Sequence, residues 1–283
     1  MGQSLARLLR ERGEPIAVIA SRTPERAAQA AAFAGGGAIA CTYAEIPQRA
    51  AHILIAVPDD AIADVAHTLA AAGMHRGSAL HTSGARGPEA LAALAAAGVA
   101  CGTLHPLQTV ANPEEGVRVL PGVAFAIDGA PEAAEWAGHL AAVLDGLALH
   151  IPAPSRPIYH AAAVMASNYL TALISAAVIL MEEAGVDEST ARRALEPLAR
   201  TSVENAFRLG PAAALTGPIA RGDTETVRGH LAALALAQPK IPVAVANLYR
   251  AAGLATLDVA RQRGLGEPLA GAIGELLRKG EQA

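Results

Sequence analysis

The sequence predicts a doubly wound, parallel α/β sheet followed by an all-helical C-terminal domain. Three observations predict it. Up to residue 151, short apolar runs alternate with helix-like segments, the pattern of strands joined by helical crossovers. After Pro152, Pro154 and Pro157 the pattern turns helical and stays so. The composition allows a real core: 283 residues, 52% hydrophobic and only 17% charged, are too apolar for a disordered chain. With aromatics at 3%, that core must be built from Ala, Leu, Val and Ile.

Each element has its own local reason. In 2–12, Leu5, Leu8 and Leu9 share one helical face, and Gly13 suits the stop. Residues 16–20 read as a short apolar strand. Thr23 then caps a helix whose first residue is Pro24. Gly35, Gly36 and Gly37 make a loop, and 39–41 a short strand. Residues 52–57 form a buried strand, turned by Pro58-Asp59-Asp60 into a helix over 62–72. Strands follow at 78–81 and 99–104, with a helix over 88–97 between them. Residues 123–127 and 147–151 read as strands around a helix over 132–143. A domain boundary is expected near 153, dividing 1–153 from 154–283. Beyond that boundary a single long helix is expected over 159–184. Asp187 and Asp223 can cap two more, and 242–263 reads as a fourth.

Composition also excludes functions. A net charge of −4, with no Lys/Arg run, argues against a nucleic-acid partner. Cys41 and Cys101 form no C-x-x-C pair, and no His spacing resembles a ligand set, so no metal is expected. No apolar leader opens the chain, so a cytoplasmic location is expected. Residues 158–181 lack any Asp, Glu, Lys or Arg and are long enough to span a bilayer. They carry His160, Ser167, Asn168, Thr171 and Ser175, however, so a buried helix is expected rather than a membrane partner. A helix apolar on nearly every face needs cover on every face, which predicts a homodimer.

The opening residues bear on ligand binding. Dinucleotide folds begin with a strand, a G-x-G-x-x-G loop and a helix that holds the pyrophosphate. Gly2 stands where the last glycine of that loop belongs, just inside a helix. The first strand and the first two glycines are not in the sequence, and a misassigned start codon would account for this. Ser21-Arg22-Thr23 ends the strand where ribose specificity is set. It has no acid and one arginine, which favours NADP over NAD. Val57-Pro58 and Ser83-Gly84 end later strands, on the edge where open sheets bind ligands.

Three phrases then carry a resemblance. They are Leu104-His105-Pro106-Leu107-Gln108-Thr109, Tyr159-His160 with Asn168-Tyr169, and 215–223 from Leu215 to Asp223. Together they resemble the Rossmann-like proteins whose C-terminal half is the domain of unknown function 2520. That family is similar in layout to 6-phosphogluconate and 3-hydroxyacid dehydrogenases and to pyrroline-5-carboxylate reductase. The resemblance implies an NAD(P)-binding domain, a helical dimerisation domain and an oxidoreductase. Related dehydrogenases use a lysine and an asparagine on the helix corresponding to 159–184, and this helix has no lysine. His160 and Asn168, eight residues apart on one face, are therefore the expected catalytic pair. His105, Gln108 and Arg221 are expected to contact substrate, Arg221 by clamping a carboxylate or by bracing its loop against Asp223. The expected function is an NADP-dependent reductase or dehydrogenase of a small keto or hydroxy acid or an imine. A deazaflavin in place of the nicotinamide stays open. The alternative is a non-catalytic dinucleotide-binding or purely structural dimeric protein.

Overall fold

The computed structural model describes residues 1–238 and 240–279. The chain divides into two compact units, 1–167 and 168–283.

The first unit runs α1 (Gly2–Glu11), β1 (Val18–Ala20), α2 (Pro24–Ala34), β2 (Ile39–Cys41), α3 (Ile46–Arg49), β3 (His52–Ile55), α4 (Ile62–Ala71), β4 (Ser78–His81), α5 (Ala92–Ala96), β5 (Ala100–Pro106), α6 (Pro113–Val119), β6 (Ala124–Gly129), α7 (Pro131–Val143), β7 (Leu147–His150) and α8 (Arg156–Val164). The caps fall where the sequence puts them: Thr23 accepts from the Arg26 amide at the start of α2. The helix expected over 88–97 begins instead as a 3₁₀ turn, Pro88–Leu91, before α5.

Strands β3 to β7 form one sheet in chain order, and β1 and β2 form a separate parallel pair. Four of the five pairings are parallel, as expected; β5 and β6 pair antiparallel. Helix α6 packs against α1, where the Ser4 hydroxyl donates to the Pro113 carbonyl, and after it the chain re-enters the sheet antiparallel to β5.

Two clusters cover the two faces. Ile53 and Ile55 pack with Ile62, Val65, Leu69, Leu91 and Leu94 on one face. Leu80, Leu104 and Phe125 pack with Leu5, Leu9 and Leu140 on the other. Strand β1 shares this sandwich: Val18 and Ala20 lie against the first cluster, and nearby Ile16 against the second. Yet among the described residues no ladder joins β1 to β3. The carbonyls of Ala51 and Ile55 accept from Ser78 and Thr82 on the β4 side, so those of His52 and Leu54 point to the other side. The break falls where the strand order of a dinucleotide fold places its first strand, between β1 and β3.

The second unit follows a π-helical turn, Met165–Tyr169, inside which the division falls. It contains α9 (Leu170–Glu183), α10 (Glu188–Leu209), α11 (Pro211–Ala214), α12 (Pro218–Arg221), α13 (Thr224–Ala237), α14 (Val243–Gln262) and α15 (Glu267–Arg278). Asp187 and Asp223 cap α10 and α13 by accepting from the amides of Thr190 and Thr226. Helices α12 to α15 enclose a core of Ile219, Val227, Leu257, Ile273 and Leu277.

Two expectations change. The boundary expected at 153 falls after Ser167, because the first turns of α8 are tied to the sheet. The long helix expected to be buried is largely uncovered in the single chain. Over 153–183 it is long and apolar enough to cross a membrane, and only 6% of its most apolar window is buried.

Candidate functional site

Strands β3, β4 and β5 all end at one edge of the first unit, and their turns converge there. The Ser83 hydroxyl donates to Asp59 Oδ2 at 2.7 Å, joining the turn after β4 to the turn after β3. The same oxygen accepts from the amides of Ala85 and Arg86, which fixes the turn around Gly84. His81, at the end of β4, is fully buried. Its Nδ1 accepts from the Ser83 amide, so it carries its proton on Nε2 and donates to the Gly87 carbonyl at 2.9 Å. Burial holds His81 below the ordinary imidazole range.

His105 sits near the end of β5 and meets α8. Its Nδ1 lies 2.7 Å from the Tyr159 hydroxyl, and the two rings stand edge to face. His160 lies on its other side, with ring centroids 6.5 Å apart. Gly84 lies against both imidazoles: a Cβ there would stand 2.7 Å from His105 Nε2 and 2.9 Å from His160 Cδ2. Only glycine leaves that space. Burial first, then the positive charge of Arg156, pushes the pKa of His105 down to about 4. Burial pushes that of Tyr159 up. At neutral pH the pair is thus an uncharged imidazole beside a protonated phenol. With the proton on His105 Nδ1, the imidazole donates to the phenol oxygen and leaves the Tyr159 hydroxyl free to donate outward.

The expected site residues distribute unevenly. Ser83, Gly84, His105 and His160 come together here. Asn168 is exposed and lies in the π-helical turn, where the spacing of a straight α-helix that put it on the face of His160 does not apply. Gln108 turns back on its own loop and accepts from the Thr109 amide at 2.8 Å. Val57 packs against the core, and Pro58 precedes the turn that holds Asp59. Gly2 stands beside the end of β3, where a Cβ would lie 2.9 Å from that of Ala56. That is the close helix–strand approach required of the last glycine in a dinucleotide loop. Arg22 is exposed at the end of β1, near enough to Tyr43 for its charge to oppose the upward effect of burial on that phenol. Thr23 is occupied as the cap of α2. Arg221, in the second unit, ends α12 beside Asp223. The Asp223 carboxyl is held low first by Thr226 and then by that charge. Among the described residues, no group of three His, Cys, Asp or Glu side chains could hold a metal.

Sequence reasoning reaches Asp59 only as part of the turn Val57-Pro58-Asp59, and misses Tyr159 and Arg156 as site residues. A signal exists for both: Arg156 and Tyr159 are three apart at a helix start, and so share a face.

A mostly parallel sheet with its strand-end turns gathered around a ligand edge, followed by a helical unit, defines a Rossmann-like protein. Comparison with known proteins specifies it further. Residues 123–256 match the domain of unknown function 2520, and residues 1–80 match the coenzyme F420-dependent NADP oxidoreductase family. The chain thus combines a Rossmann-like fold with a stretch that matches the domain of unknown function 2520. No curated protein matches it. Among solved structures, a protein from Thermotoga maritima is 23% identical with a TM-score of 0.71, over 92% of this chain and 96% of that one. An imine reductase from Streptomyces aurantiacus is 15% identical with a TM-score of 0.59, over 99% and 90%. A pyrroline carboxylate reductase from Plasmodium falciparum, with NADP bound, is 12% identical with a TM-score of 0.55, over 99% and 92%. At such identities the likeness shows the fold.

Proposed function

We propose that this chain is an NADP-dependent reductase of a small keto acid or imine, with Tyr159 as proton donor and His105 as the group that holds it. The observation that carries the reading is the His105–Tyr159 bond of 2.7 Å, beside Gly84 and the Ser83–Asp59 link, on the ligand edge of the sheet. The residues present suit a dinucleotide. Helix α1 begins with no side-chain cap, leaving its first amides to a phosphate. Arg22 could fork onto a 2′-phosphate, and Ser83 and Gly84 would flank the nicotinamide end.

NADPH, when bound, supplies hydride to the carbon of a C=O or C=N bond. Tyr159 supplies the proton to its oxygen or nitrogen, and water returns one to the phenolate. His105, neutral above pH 4, keeps the phenol oxygen in place by donating from Nδ1. His160 lines the opposite wall and orients the substrate. The working form is a homodimer. Ile158 is 74% exposed, Met165 66% and Tyr169 59%, and a second copy would cover this apolar stretch.

A second reading is a dinucleotide-binding protein without turnover. Gln108, whose side chain is taken up by its own loop, favours it. The test is titration of NADPH, NADH and reduced F420, followed by turnover on a panel of 2-keto acids and cyclic imines. NADPH oxidation that falls about 10²–10⁴-fold in Tyr159→Phe, with NADPH affinity unchanged, supports the reductase. Tight binding without turnover supports the second reading. No binding of any of the three ends both. Sedimentation of the full chain reads the dimer.

A further inference from the structure

Arg156 is the bulkiest fully buried side chain among the described residues, and it lies at the first residue of α8. One Nη donates to the Ser83 carbonyl at 3.3 Å, on the turn after β4; the other donates to Thr103 Oγ1, on β5. Its Nε is buried with no partner, and among the described residues no carboxylate pairs with it. Asp128 and Glu89 favour the charge from beyond ion-pair distance, and a buried guanidinium without a direct carboxylate partner is held at a cost in stability.

We propose that Arg156 is a positioning residue: its guanidinium clamps the start of α8 to the ends of β4 and β5, so that Tyr159, one turn later, meets His105. A positive charge with no direct carboxylate partner at this point also opposes any second cation. His105 and His81 both feel it, and both stay uncharged. The groups acting on His105 are Arg156 and His160 from α8, His81 from β4 and Asp59 from the turn after β3, with only Asp59 favouring protonation. Arg156 itself feels Asp128 on β6, Glu89 and Tyr159. The clamp therefore serves two ends, geometry for the phenol and neutrality for the imidazole. Its role in proton delivery rests on the reductase reading. The clamp itself is a property of the resting chain, so its failure and that of the reductase reading are separate results.

The test is nuclear magnetic resonance on the full chain without cofactor. In the wild type, a clamped guanidinium shows separate, slowly exchanging Nη signals for Arg156 at pH 7. An Arg156 signal averaged like that of a surface arginine overturns the clamp. In Arg156→Met, the His105 titration is expected to move up from about 4 toward the ordinary imidazole range, part of the way because burial remains. In Arg156→Lys, which keeps the charge and loses the fork, it stays low. An unchanged His105 titration in a folded Arg156→Met chain overturns the electrostatic half. If that variant does not fold, the wild-type guanidinium signals still decide the clamp, and a His105 titration that rises in Arg156→Lys overturns the electrostatic half.

Discussion

Acid should unfold the first unit through His105, and the size of the effect follows from the site. Its pKa is about 4 in the folded chain against 6.5 for a free imidazole. Between those values the unfolded chain binds a proton that the native chain does not. Stability is therefore full above pH 7, falls as pH drops through 6.5 and levels off below 4. The complete loss is 2.5 units at about 1.4 kcal/mol each, on the order of 3 kcal/mol. At pH 5, where the folded chain is still about nine-tenths neutral, it is about 2 kcal/mol. His81 acts in the same direction, so the wild-type slope alone is not diagnostic. The comparison is with His105→Gln, which cannot titrate. Urea unfolding at pH 7.5 and pH 5, followed by fluorescence of Trp136, the one tryptophan and a residue of α7, reads this unit alone. Wild type should lose about 2 kcal/mol more than the variant between the two pH values. Equal losses would mean that His105 is protonated in the folded chain at pH 5, and the neutral-pair description would fall with it.

Other consequences are as direct. Gly84→Ala forces a methyl against two imidazoles and should cost about 1–3 kcal/mol in urea unfolding, with the His105–Tyr159 bond lost from the spectrum. Phe125→Ala opens a cavity in the fully buried core of the first unit and should cost about 3–5 kcal/mol by the same fluorescence assay. Asp223→Ala removes both acceptors of the α13 cap and should lower the stability of the second unit by about 1 kcal/mol, read by circular dichroism.

Much of the fold is legible in the residues. Apolar runs such as 52–55 and 78–81 can hide only in a sheet covered on both faces, and Thr23, Asp187 and Asp223 are caps that announce their helices. Helix α6 also has a signal, Asn112 before Pro113, but it is too short to show a period. The antiparallel turn at β6 goes with the packing of α6 on α1, a tertiary contact, and so is hidden too. His160 draws attention because imidazoles titrate near neutrality. What selects Tyr159 instead is burial around His105 and the reach of Arg156, and neither is written in the spacing of one helix. The same holds for Asn168: a π-helical turn is set by packing, and periodicity read from sequence passes straight through it.

The order of β3, β4 and β5 has a mechanical side. A hydrogen-bonded ladder fixes strands at about 4.8 Å and transmits position along a sheet. Asp59 follows β3, Ser83 follows β4 and His105 lies on β5, three neighbours in one ladder. Amide bonds thus set the spacing of the turns that meet at this edge, and side-chain packing has only to choose rotamers. The His–Tyr couple is anchored to the stiffest part of the first unit.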